Sequence, residues 1–166
     1  MRAEWEIGMW IAIVAMGLCV FVVVAIHWLV LRFLWRFALP RLQWLSGKGM
    51  GIMFFGCMIA HFAEIAVFTV GLFIAAAWEG ETKLALSGWN RENLELWYYS
   101  AAFYTSLGAE RPPTAGLRLF ATSEALAGLM LITWTASFLF LLMQESWGAE
   151  STSKTAPTTQ GELHHD

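Results

Sequence analysis

The stretch LELWYYSAAFYTSL, residues 94–107, is aromatic and apolar, but it is too short to cross a lipid bilayer. A transmembrane helix needs about 20 consecutive apolar residues. The stretch lies between two apolar blocks that are long enough, residues 50–78 and 119–143. Non-helical backbone at membrane depth is tolerated only where it is buried in protein or lines a water-filled cavity. We therefore predict a re-entrant pore helix, followed by a loop that returns to the same side of the membrane.

A third apolar block, residues 9–31, precedes these two. The chain of 166 residues is 58% hydrophobic and only 14% charged, whereas soluble domains carry about 25% charged residues. Because backbone groups in hydrocarbon must be paired internally, the three blocks predict three helices in an all-α membrane protein. The leader MRAEWEIG is acidic and no small-residue cleavage site follows it, so we expect a retained helix. Cys19 and Cys57 lie inside predicted spans and are expected to be free.

The connection after the first block predicts the orientation of the chain. It carries four cations and no acid between them: Arg32, Arg36, Arg41 and Lys48. Such loops are cytoplasmic, which places the N-terminus outside and the C-terminus inside. We divide the chain into a first helix with a basic linker (1–49), a pore domain (50–147) and a polar tail (148–166). The tail has too few apolar residues to fold and is expected to be disordered.

The order of span, short helix, loop and span over residues 50–143 resembles the pore unit of small bacterial potassium-channel-like proteins with an extra N-terminal helix. The resemblance rests on five features of the sequence: LWYYS at 96–100, TSLGAE at 105–110, the Pro112-Pro113 and Arg118-Leu119 pairs, and HFAEI at 61–65. In that family the filter reads Thr-Thr-Val-Gly-Tyr-Gly-Asp or a close variant. The resemblance implies a multi-pass protein of the bacterial inner membrane.

The resemblance also implies roles for particular residues. Four chains would line a filter whose backbone carbonyls replace the water shell of a potassium ion. The ion pathway would be formed by Thr105, Ser106, Leu107, Gly108, Ala109 and Glu110. The pore helix would be supported by Trp97, Tyr98, Tyr99 and Glu124, and Gly128 would be the hinge of the inner helix.

The match to the family filter ends after Gly108. Ala109 replaces the aromatic residue, Glu110 the second glycine and Arg111 the acid. A left-handed Glu110 would cost roughly 1 kcal/mol relative to glycine. We therefore expect relaxed or impaired selectivity. Without a pore, the same stretch would be an amphipathic helix packed on the outer side of the bundle.

Ionisable residues inside a span are functional candidates by default. His61 and Glu64 are three residues apart and share a helix face. Counting along antiparallel helices places Glu64 level with Thr133 and Thr135 of the last block and His61 near Ser137, which predicts a polar seam. The pair is either a proton- or metal-sensitive site or a structural clamp between the two helices.

Two other ionisable residues lie in the predicted spans. His27 is expected to snorkel to the inner interface. Glu124 is expected to brace the pore helix or to pair with Arg111 or Arg118.

The expected function is a homotetrameric pore subunit for passive passage of a monovalent cation, K⁺ or Na⁺. The alternative is a non-conducting structural or regulatory subunit with the same fold. Membrane lipids and a larger membrane complex are expected partners, and nucleic acid is not. The sequence contains no nucleophile–base pair and no phosphate-binding loop, so neither an enzyme nor a bound cofactor is expected.

Overall fold

A computed structural model describes residues 2–38, 49–78 and 93–155 of the chain. The described residues form four helices: α1 (Arg2–Ala38), α2 (Met50–Trp78), α3 (Asn93–Tyr104) and α4 (Ala115–Thr155). A loop, residues 105–114, joins α3 to α4. The three long helices contain stretches apolar enough to cross a membrane: Ile7–Ala38, Met50–Trp78 and Ala115–Gly148. The predicted all-α fold is therefore confirmed for the described residues, and its three long helices are candidate membrane spans.

Some helix ends agree with the bounds predicted from the sequence and others do not. Helix α2 has the predicted bounds, and α1 ends two residues before Pro40, a residue that removes a helix hydrogen bond. Helix α4 continues to Thr155, so the first part of the tail predicted to be disordered is helical. The rest of that tail (156–166) and most of the basic linker (39–48) lie outside the described residues.

Helix α2 runs antiparallel to α1. Near the end of α2 that connects to α3, the sulfur of Cys19 lies where a side chain on Gly71 would project. Towards the other end, Leu34 lies in the same way against Gly56, 2.8 Å from the position of an added Cβ. Both glycines allow the two helices to pack closely, as small residues do at helix interfaces in membranes. Cys19 and Cys57 are buried and free, as predicted.

The bundle has an apolar core at each end and an apolar outer surface. All four helices contribute to one cluster, which includes Phe68, Leu72 and Phe120. A second cluster, around Met53 and Leu142, fills the opposite end. Many large apolar side chains on the three long helices are exposed, which suits contact with lipid tails.

The short helix α3 packs against α2 and α4. Its last residue, Tyr104, has its carbonyl oxygen where a Cβ on Gly128 of α4 would project, so no larger residue fits there. Helix α4 continues through Gly128 without interruption. Gly128 was predicted as a hinge, and the structure shows that it also allows α3 and α4 to pack closely.

Candidate functional site

A carboxylate at the middle of the bundle receives hydrogen bonds from three helices. Glu64 lies midway along α2 and is completely buried. Its Oε1 is 2.8 Å from Nδ1 of His27 on α1, and its Oε2 is 3.1 Å from Nδ1 of His61. The hydroxyl of Tyr104 on α3 also donates to Oε2. Buried carboxylates need such partners, because an unpaired charge in this environment is very costly.

Helix α4 completes the set with one hydroxyl. Oγ1 of Thr135 lies 3.0 Å from Nε2 of His61 and 3.4 Å from Nε2 of His27. The two imidazoles are therefore joined on one side by Glu64 and on the other by Thr135. We call the five residues His27, His61, Glu64, Tyr104 and Thr135 the central cluster.

The number of protons in the central cluster follows from its contacts. With the Tyr104 hydrogen directed at Glu64, Nδ1 of His61 carries a hydrogen, as does Nδ1 of His27. Both Nε2 atoms then face Thr135, whose hydroxyl has a single hydrogen. It can donate to one Nε2, so the other Nε2 must itself be a donor. All hydrogen bonds form when one imidazolium balances the carboxylate of Glu64.

Burial raises the pKa of the Tyr104 phenol above its usual range, and its hydrogen bond to Glu64 raises it further. Tyr104 therefore keeps its hydrogen and remains a donor to the carboxylate. Its ring also packs edge-on against the His61 imidazole, with centroids 5.9 Å apart. These contacts fix the end of α3 relative to the centre of α2.

The predicted polar seam is only partly present. Thr135 joins the central cluster, but it contacts His61, which was expected near Ser137. Thr133 and Ser137 do not join the central cluster. Their hydroxyls donate to carbonyls of their own helix, at 2.7 Å and 3.0 Å. Both residues line a groove of about 720 Å³ beside Val20 and Val24 of α1.

The prediction that His27 snorkels to the inner interface is wrong, since its side chain is completely buried. Its Nδ1 finds a carboxylate partner inside the bundle, which removes the need to reach water. The signal in the sequence was its place as the only ionisable residue of an otherwise apolar block.

Glu124 of α4 forms the predicted contact with the short helix. Ser100 of α3 donates a hydrogen bond to its Oε1, and both side chains are buried. Its Oε2 has no partner among the described residues. The suggested pair with Arg118 is not formed, because that guanidinium donates to the carbonyls of Pro112 and Pro113, at 3.0 Å and 2.8 Å.

The loop after α3 is closed by backbone hydrogen bonds. The amides of Ser106 and Gly108 donate to carbonyls of the last turn of α3, at 2.9 Å and 3.0 Å. These two residues have φ angles of 58° and 82°, and no other described residue has a left-handed backbone. The expectation of a left-handed Glu110 is wrong, because the chain makes its reversal earlier. Residues 105–108 are all exposed, and the Leu107 side chain is 75% accessible.

The aromatic residues predicted to support the short helix have different surroundings. The Tyr99 hydroxyl donates to the Glu110 carbonyl at 3.0 Å and so connects α3 to the returning chain. Burial raises the pKa of Tyr99 to about 12, and the charges of Glu110 and Glu124 add to the effect. Trp97 stacks on Phe62 of α2, whereas the Tyr98 side chain is exposed.

A stripe of exposed residues with polar members runs along α4. Five of its residues follow one another at intervals of four or seven positions: Thr122, Leu126, Thr133, Ser137 and Gln144. Such spacing places them on one face of the helix. The hydroxyls of Thr122 and Thr133 are bonded to backbone carbonyls one turn earlier.

The site is therefore a buried hydrogen-bonded cluster below an exposed loop. Models of known protein families, characterised proteins and solved structures were all compared with the chain. None of them matches it, so the functional assignment rests on the geometry of the cluster and the loop.

Proposed function

We propose that the chain is a pore subunit for passive passage of monovalent cations, similar to the subunits of potassium channels. Four copies would surround an axis, as in potassium channels. Helix α3 would be the re-entrant helix, residues 105–110 the constriction and α4 the inner helix. The protein would lie in a bacterial inner membrane, with its N-terminus outside and its C-terminus in the cytoplasm.

One observation carries the proposal: α3 ends at the middle of the bundle. Tyr104 contacts Glu64 at the midpoint of α2 and Gly128 in α4. Gly128 lies 13 residues after the start of α4, which corresponds to roughly 20 Å along the helix axis. The loop that follows Tyr104 must therefore return over this distance along the helix axis to reach Ala115. A loop at membrane depth needs protein or water around it.

The exposure of residues 105–108 supports the same assignment. Its left-handed residues, Ser106 and Gly108, turn successive peptide groups to different sides. Residues exposed at this depth in one chain would be covered by protein or by water in an assembly around an axis. The polar stripe on α4 would then face a water-filled cavity.

The sequence after Gly108 argues against ordinary potassium selectivity. Ala109 cannot brace the filter as an aromatic residue would, and Glu110 and Arg111 would form charged rings at the outer mouth. Sites built by residues 105–108 could still accept K⁺ or Na⁺ through carbonyl oxygens. We therefore propose passage with relaxed or impaired selectivity.

A second candidate is a non-conducting subunit that stabilises or regulates a larger membrane complex. Two contacts favour it. The Gly108 amide is bonded to the carbonyl of Ala102, and the Glu110 carbonyl accepts a bond from Tyr99. Both hydrogen bonds join the loop to α3 of the same chain. Fewer backbone groups of the loop are then free to coordinate an ion.

Flux through liposomes tests the proposal directly. Purified protein would be reconstituted and assayed for K⁺, Na⁺ and proton flux under imposed gradients. We expect cation flux with little preference between K⁺ and Na⁺. Gly108→Ala should reduce the flux because an alanine at φ 82° is strained. The matched control is Gly17→Ala, where an added Cβ meets nothing within 4 Å.

A repaired filter separates the two candidates. The triple variant Ala109→Tyr, Glu110→Gly, Arg111→Asp restores the residues of the family pattern and should increase preference for K⁺. If neither the native chain nor this variant conducts any of the three ions, the pore proposal is refuted. A tetramer in detergent that conducts nothing would favour the second candidate.

A further inference from the structure

We propose that the central cluster binds one divalent transition-metal ion per chain through His27, His61 and Glu64. The inference goes beyond ion passage and does not depend on it, because the ligands lie inside a single chain. Sequence alone offered two of these ligands, and the third comes from a helix outside the predicted pore domain.

The three donor atoms are already close together. Each residue offers a ligand atom, and these atoms lie within 4.8 Å of one another. Metal–nitrogen and metal–oxygen bonds of zinc are about 2.0–2.2 Å long, so ligand atoms around one tetrahedral ion lie about 3.4 Å apart. Small rotations of the side chains would bring all three to these lengths. Two histidines with one glutamate form a set used for zinc with a fourth position open.

The ligand-residue atoms that would not contact the ion, the two Nε2 atoms and one Glu64 oxygen, already have the hydrogen-bond partners that metal sites usually provide. A bound histidine normally donates its second ring N–H to an oxygen, which fixes the ring. Nε2 of His27 and Nε2 of His61 both face Oγ1 of Thr135, and a hydroxyl oxygen has two lone pairs for them. The free oxygen of the glutamate is likewise held by the Tyr104 hydroxyl.

A bound ion would also remove the need for an imidazolium in the central cluster. Without it, complete hydrogen bonding needs an extra proton on one imidazole. With an ion in place, both Nδ1 lone pairs and a Glu64 oxygen point at the ion, both Nε2–H groups donate to Thr135, and both imidazoles are neutral. The two imidazole ligands favour Zn²⁺, Co²⁺ and related ions over Ca²⁺ or Mg²⁺, which prefer oxygen ligands. The carboxylate offsets part of the charge of the ion inside the bundle.

Metal analysis tests the site. The full chain would be purified in detergent without a histidine tag, stripped with a chelator and dialysed against Zn²⁺ or Co²⁺. We expect one tightly bound ion per chain, and four-coordinate absorption bands for Co²⁺. Binding should be lost in His27→Gln and Glu64→Gln. Thr135→Val keeps the ligands but removes their support, and its affinity should fall about 10–100-fold.

The control variant is His164→Ala/His165→Ala, which removes the other two histidines of the chain and should keep the ion. The metal content and Co²⁺ bands of the native chain test the site without any variant, so a variant that fails to fold does not decide the question. A native protein that binds no more Zn²⁺ than Glu64→Gln, or that gives the weak bands of six-coordinate Co²⁺, would overturn the proposal. So would full binding in His27→Gln.

Discussion

Replacing Gly128 by alanine tests the contact that sets the depth of α3. An added Cβ would overlap the carbonyl oxygen of Tyr104 and would also lie 2.8 Å from its carbonyl carbon. These are backbone atoms, so they cannot rotate away as the end of a side chain could. Helices α3 and α4 must separate, which pulls the Tyr104 hydroxyl away from Glu64.

The expected loss of stability combines two opposing effects. Alanine is favoured over glycine inside a helix by about 1 kcal/mol. Overpacking usually costs about 1–3 kcal/mol, and we take the upper end because backbone must move. The net destabilisation is then about 2 kcal/mol, which lowers the Tm by about 4–8 °C for a chain of this length.

Thermal unfolding in detergent micelles measures this change. The control is again Gly17→Ala, which makes the same substitution in α1 where an added Cβ has free space, so its Tm should rise slightly. A Gly128→Ala protein at least as stable as the native chain would refute the packing role. An unchanged Tm with altered ion flux would instead favour a hinge.

Three further substitutions test the buried polar contacts. Ser100→Ala removes the hydrogen-bond donor to Oε1 of Glu124 and should cost about 1–3 kcal/mol in unfolding free energy; equal stability would mean that this contact does not brace α3. Glu64→Ala removes the shared acceptor of His27 and Tyr104 and should cost about 3–5 kcal/mol in unfolding free energy, measured by thermal unfolding in detergent. Tyr99→Phe should cost about 1 kcal/mol and speed hydrogen exchange in the loop, with no effect on α2.

The spans and one polar contact could be predicted from the sequence. Helix α2 has the bounds of its apolar block, because hydrocarbon imposes a helix wherever such a block is long enough. Rise per residue brought Thr135 to the level of the His61 and Glu64 pair, although the contact was expected at Glu64 and forms at His61. Glu124 was correctly associated with the short helix for the same reason.

The remaining contacts depend on how the helices are rotated and on how deep α3 lies. The first block is apolar on every side, so no periodic pattern shows which face of α1 carries His27 towards Glu64. The depth of α3 follows from its packing against Gly128, which spacing along the chain does not specify. The loop angles were inferred by resemblance, and the reversal at Ser106 and Gly108 is set instead by hydrogen bonds to the last turn of α3.

The burial of His27 against Glu64 bears on how the chain is synthesised. A single carboxylate at the centre of an emerging helix costs about 2.5–3.5 kcal/mol during insertion. Helix α1 is synthesised before α2, so the His27 side chain is already in the bilayer when α2 is inserted. A chain that begins at Met50 would lack α1 and therefore the His27 partner of Glu64. Its α2 would have to enter the bilayer with the Glu64 carboxylate protonated, or remain outside the bilayer.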